Sequence, residues 1–136
     1  MNGYNEILSV ENLFTQEECK KAIQEIDELI AMGHHHESPT HMGRKDECIH
    51  FSLVSLDGHP TASQCIQRMH DVVVPEYCKA FPMLLHKSLG MFEIKGQKPP
   101  AGGGFYDWHY EASDGNTWNR VLTYTLYLND DFEGGE

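Results

Sequence analysis

Residues 120–129 run Arg120-Val121-Leu122-Thr123-Tyr124-Thr125-Leu126-Tyr127-Leu128-Asn129. This ten-residue run constrains the fold more than any other stretch. It is dense in β-branched and aromatic residues and lacks Gly and Pro, so it reads as a strand. Side chains on a strand alternate between faces. Val121, Thr123, Thr125 and Tyr127 then point one way, and Leu122, Tyr124, Leu126 and Leu128 the other. The second set suits packing under helices. The first is a semi-polar wall of two hydroxyls and a phenol, suited to a small polar ligand. The plainer reading of Tyr127 is an ordinary half-buried sheet tyrosine. By the same parity Arg120 lies on the leucine side, and it is not counted as a ligand.

A second stretch, Phe105 to Glu111, precedes it. On a strand, Phe105, Asp107, His109 and Glu111 share a face. A buried face with carboxylate, imidazole and carboxylate is costly unless the groups are paired or hold a cation. His109 and Glu111 could occupy two adjacent positions on a metal, although a lone His-x-Glu triplet is common on solvated faces. The Gly/Pro-rich stretch Gly96 to Gly104 lies directly before it and reads either as a plain connection or as a mobile rim over a pocket.

The rest of the chain reads as scaffold. Ile7 to Val10 is a short apolar run of edge-strand form. Thr15 and Glu18 have capping-box spacing, and Cys19, Ala22, Ile23, Ile26, Leu29 and Ile30 make one apolar stripe behind them. The spacing predicts a helix over 16–32 that Gly33 ends. His34, His35 and His36 could suggest a metal, but three consecutive residues on regular backbone cannot face one ion, and the segment reads as surface loop. Cys48 to Val54 reads as a strand, and Asp57-Gly58-His59-Pro60 as a turn. Thr61 with Gln64 resembles a second cap, followed by a helix that Pro75 ends or kinks. Tyr77 to Phe81 continues as another helical piece, with Met69 as core and His70 at the surface. Met83 to Ile94 reads as an irregular strand.

The chain has 136 residues, room for a single domain, 1–136, with a real core. Acidic residues number 21 against 10 basic, a net charge of −11. That balance argues against nucleic acid and against anionic membrane surfaces, and suits neutral or basic partners. The four cysteines form no C-x-x-C pair. With no secretory pattern at the start and no run long enough to span a bilayer, the expectation is a cytoplasmic protein with reduced thiols.

The combined pattern resembles a known family. Trp108-His109-Tyr110-Glu111, then Asp114-Gly115-Asn116, then Arg120, Thr123 and Tyr127-Leu128-Asn129-Asp130, then Phe132-Glu133-Gly134-Gly135-Glu136 is similar to the prolyl 4-hydroxylase-like branch of the Fe(II)/2-oxoglutarate dioxygenases. The segment Leu13 to Cys19 resembles that branch's opening helix. The resemblance implies an α+β, mainly β fold: a double-stranded β-helix (jelly-roll) barrel flanked by amino-terminal helices. It also implies a facial triad of two histidines and one carboxylate that leaves positions open on iron. Carried over residue by residue, His109 is the first histidine ligand and Glu111 the carboxylate. Tyr127 binds the distal carboxylate of 2-oxoglutarate, and Thr123 and Thr125 line that cosubstrate's pocket. The implied cofactors are Fe(II), 2-oxoglutarate and O2, with ascorbate as an accessory reductant. The implied reaction is hydroxylation of an unactivated C–H bond in a peptide, such as a prolyl residue, or in a small molecule.

Three departures stand beside it. The family usually has Asp where this chain has Glu111. A tyrosine usual on the cosubstrate wall is replaced by the Pro99-Pro100-Gly insert, and Tyr106 is a stand-in only if strict alternation fails. The distal histidine and the basic cosubstrate anchor have no matching residue, so the expectation is the front portion of a longer domain, inactive as this segment alone. Two competing readings are a non-enzymatic jelly-roll module that has lost the complete triad, and a metal-storage or sensing protein built on His34 to His36.

Overall fold

Helix α1, Gln16–Ala31, begins at a capping box. The Thr15 hydroxyl accepts the Glu18 N–H at 3.3 Å, and the Glu18 carboxylate accepts the Thr15 N–H at 2.8 Å, so two otherwise orphan donors are satisfied reciprocally. At the other end Gly33 adopts φ +80°. There the Gly33 N–H reaches Ile30 O at 2.9 Å and the His34 N–H reaches Leu29 O at 3.0 Å. That is a Schellman closure, and the left-handed position explains the glycine. The apolar stripe buries Ala22 and Ile26, with Cys19, Leu29 and Ile30 partly covered.

The computed structural model describes residues 7–34, 36–37, 46–51, 58–91, 93–102, 111–112, 115 and 117–133. After α1 come β1 (His36–Glu37), β2 (Glu47–Phe51), α2 (Pro60–Arg68), a π-helical turn (Met69–Val73), α3 (Val74–Ala80), a 3-10 turn (Pro82–His86) and β3 (Ile94–Lys98). The three strands form one antiparallel sheet in the order β1-β2-β3. Cys48 pairs with His36 on one side and Gln97 on the other. The architecture is mixed α and β. Among the described residues helix outweighs strand and the sheet is not closed, so the expected predominance of β structure is not what they form.

Ile49 and Phe51 of β2, Ile94 of β3 and Ile26 of α1 meet with Phe14, Ala62, Cys65 and Met69 in the core. The helix lies close on the sheet at Gly96, where a Cβ would stand 3.2 Å from Ile26 Cδ1 and 3.3 Å from Phe51 Cε2. Lys98 Nζ and Asp27 Oδ1, 2.5 Å apart, add an ion pair between the same two elements. The start of α2 is capped from α1: the Glu25 carboxylate accepts the Thr61 N–H at 3.0 Å. A carboxylate there also meets the positive end of the helix dipole. His59 stands 3.3 Å from the same carboxylate and edge-on to the Phe51 ring.

Arg68, at the end of α2, bolts the two helices together. Its guanidinium donates to the Glu18 carboxylate and to Leu13 O, and lies 4.4 Å from the centre of the Phe14 ring. These contacts, Arg68 foremost and then the Thr15 N–H and hydroxyl, hold the Glu18 carboxyl down to about 2.

Several local expectations need correction. The second helix starts at Pro60 rather than after a Thr61 cap, because proline fits a first-turn position and Glu25, not Gln64, takes the free N–H of Thr61. Ile7 to Val10 forms no strand, and the segment has lost its reason to be one because Ile7 and Leu8 are exposed. His36 and Glu37 are strand rather than loop, as β2 supplies their backbone partners. Met83 to His86 is a 3-10 turn entered through Pro82, and regular strand begins only at Ile94. Pro75 behaves as expected: the helix widens to a π turn before it and resumes with Pro75 in the first turn of α3. Met69 is buried and His70 exposed.

Glu18→Gln tests the acid limb of stability. The folded carboxyl sits at about 2 against an ordinary 4.5, so its contribution is complete above about 4.5 and is lost as pH falls toward 2. The variant is expected to unfold more easily at neutral pH and to show a flatter loss of stability through that acid window, read by urea unfolding at stepped pH. Gly96→Val is expected to cost about 2 kcal/mol through overpacking against Ile26 and Phe51, read as a lower urea midpoint at unchanged slope.

Candidate functional site

The alternation expected of 120–129 is present. The strand expected there is not among those that the described residues form, but burial alternates along the segment, with Leu122, Tyr124, Leu126 and Leu128 half-buried and Val121, Thr123, Thr125 and Tyr127 exposed. Tyr124, Leu126 and Leu128 pack on the core. The Tyr124 hydroxyl donates to Met91 Sδ at 3.4 Å. Burial first, and then the neighbouring Cys65, push this phenol's pKa up, and burial likewise raises the Cys65 thiol. Both stay neutral at physiological pH, so this side of the segment is structural.

The opposite face holds the three residues expected to bind the cosubstrate. Thr123 and Thr125 stand in line with Tyr127, which is 65% exposed. The Tyr127 ring stacks on Phe132 at 6.1 Å with 24° between planes. Among the described residues these three side chains are exposed rather than enclosed.

Glu111 is exposed and accepts Arg120 Nη1 at 3.0 Å through Oε2. Arg120 Nη2 also lies 3.5 Å from Glu93 Oε2, and Glu93 Oε1 is 2.5 Å from His50 Nδ1. The carboxylate can only accept, so His50 carries its proton on Nδ1. A chain of four charged or polar side chains therefore runs from β2 through the residue before β3 to both halves of the expected site. Its sequence signal lay in the parity of 120–129. A charged residue on the inward side of an amphipathic strand needs carboxylate partners, and Arg120 is that residue.

His109, Trp108 and Tyr110 lie outside the described residues, as do Phe105 to Asp107, Asp114, Asn116 and Gly134 to Glu136. Of the expected site the structure thus places Glu111, Thr123, Thr125 and Tyr127. Tested as metal donors, the placed residues fit iron only in part: Glu111 has the right chemistry, but one of its oxygens is held by a guanidinium. Among the described residues no three His, Cys, Asp or Glu side chains gather to hold a metal ion. The four cysteines are free thiols, three of them buried. Among the described residues no helix is long and apolar enough to cross a membrane.

Comparison with protein-family models, with curated proteins and with solved structures finds no match.

Arg120 is the residue on which the network turns. Arg120→Met should remove the cation that Glu93 and Glu111 share, at a cost of about 1 kcal/mol given the partial exposure of all three. Thermal unfolding at low and high salt is the measurement, and the loss should shrink as salt screens the carboxylates.

Proposed function

We propose that the chain is part of an Fe(II)- and 2-oxoglutarate-dependent oxygenase of jelly-roll type, acting on a C–H bond of a peptide or small molecule. The observation that supports this reading is the packing of 121–128. Its leucine side is seated on the core, which turns Thr123, Thr125 and Tyr127 outward as one hydroxyl-bearing row. Such a row suits the distal carboxylate of a keto acid: the Tyr127 hydroxyl donates to it, and the threonine hydroxyls flank it. His109 and Glu111 would supply two of the metal's ligands. Bound Fe(II) supplies the coupling of O2 to keto-acid decarboxylation, with succinate, CO2 and a hydroxylated product. The chain's own part is to orient the cosubstrate and to hold Glu111 in place through Arg120.

A second reading, a non-enzymatic jelly-roll module, is favoured by one contact. The 3.0 Å pair between Glu111 and Arg120 neutralises the carboxylate without a metal.

Anaerobic addition of Fe(II) and 2-oxoglutarate separates the two. The oxygenase reading expects a charge-transfer absorption band that His109→Ala abolishes, and succinate once O2 is admitted. Tyr127→Phe should weaken 2-oxoglutarate binding roughly tenfold, the worth of a hydrogen bond to a charged group. Replacing His34, His35 and His36 with Ala should leave the band intact. No keto-acid-dependent band, together with a Glu111→Gln variant that loses thermal stability and nothing else, would leave the binding module standing.

A further inference from the structure

Tyr127 and Phe132 lie five residues apart, a spacing that on straight strand would put them about 17 Å from each other and on opposite faces. Their ring centroids are instead 6.1 Å apart, with 24° between the planes. The chain therefore turns back on itself between them. Leu128 is at a bend and packs on the core, which anchors the start of the turn. The Asn129 amide donates to Asp131 Oδ1 within it. Phe132 is thus carried back beside Tyr127.

An exposed side chain with two free torsions samples several rotamers, and a ligand that needs one of them loses affinity to the ordering. Tyr127 is 65% exposed, and Phe132, at 49%, is the aromatic side chain stacked on it. We propose that Phe132 is a positioning residue: its ring holds the Tyr127 phenol in one orientation before a keto acid arrives, so that binding of the distal carboxylate carries less ordering cost. The inference rests on the oxygenase reading of Tyr127. Stacked aromatic pairs contribute beyond the area they cover, because the two flat faces align each other. An aliphatic residue of similar size would cover the Tyr127 ring without aligning it. Phe132 has no hydrogen-bonding group on its side chain, so whatever it gives to carboxylate binding passes through Tyr127. The Asn129–Asp131 contact acts at one remove, by holding the turn that brings Phe132 into place.

The test titrates 2-oxoglutarate anaerobically into the full chain with Fe(II), follows the charge-transfer band, and measures Fe(II) affinity separately by competition with a chelator. Phe132→Leu should weaken 2-oxoglutarate binding about fivefold at unchanged Fe(II) affinity, and Phe132→Tyr, which keeps a flat ring, should retain it. In a Tyr127→Phe background Phe132→Leu should cost nothing further, because the hydroxyl it positions is gone. Asn129→Ala leaves both rings in place and should weaken binding about twofold, so a Phe132→Leu chain that fails to fold by circular dichroism does not end the test. An undiminished loss from Phe132→Leu in the Tyr127→Phe background overturns the positioning role and leaves the oxygenase reading standing. So does an intact band whose 2-oxoglutarate affinity responds to neither Phe132→Leu nor Asn129→Ala. No keto-acid-dependent band in the unaltered chain overturns the oxygenase reading and the positioning role with it, even where NMR of ring-labelled protein shows Tyr127 and Phe132 in contact.

Discussion

The Arg68 guanidinium is the contact on which the arrangement of elements depends. Glu18 closes the first turn of α1, and the same carboxylate receives Arg68 from the last turn of α2. One acid therefore fixes where one helix begins and where the other ends. Arg68 also covers the Phe14 ring and takes Leu13 O, so the chain entering α1 is held by the same cation. With the helices joined, Ile26 can be pressed onto the sheet at Gly96, where nothing larger than hydrogen fits without displacement. The second link between the helices, Glu25 to the Thr61 N–H, lies two turns further along α1. Two carboxylates on one helix thus set the position of the next, and their partial shielding from water gives them more weight than exposed ion pairs would have.

Features governed by local chemistry were legible in the sequence, and features governed by partners far along the chain were not. The α1 cap, its stripe and its stop at Gly33 follow from residues within one or two turns of each other. The alternation of 121–128 was legible for the same reason, since a period of two is written in the order of the side chains. The second cap was misread because its acceptor is Glu25, 36 positions away from Thr61. The 83–94 stretch was misread because its apolar run carries no information on whether strand partners exist, and Pro82 before it tips its start toward a 3-10 turn. At the candidate site, parity correctly separated Tyr127 from Tyr124. It also turned Arg120 away from the ligand face, and what it could not supply was the identity of Glu93 and His50 as members of the same network.

The inward tyrosine and the outward tyrosine show how position alone divides one residue type into two roles. Tyr124 is surrounded by Met91 and Cys65, where an ionised phenol would be poorly solvated, and its pKa rises accordingly. Tyr127 stacks on Phe132 with its ring open to water. Only the second can present a hydroxyl to a ligand arriving from solvent.

Glu111 carries the tension between the two functional readings. An aspartate at this position would be shorter by one methylene, about 1.5 Å of reach. The glutamate spans to Arg120 and leaves its backbone further from that cation than an aspartate could. A carboxylate has two oxygens and about four lone-pair sites, so a guanidinium on Oε2 does not by itself exhaust it. Arg120 is in turn shared with Glu93, which lessens the charge it can give to Glu111 alone. A cation arriving at Glu111 would therefore meet a carboxylate that is oriented but only partly neutralised, and Arg120 could shift its weight to Glu93, already bound to His50. On that argument the ion pair is compatible with a metal-binding role and also sufficient without one, which is why metal affinity and thermal stability must be read separately on the same Glu111 variant.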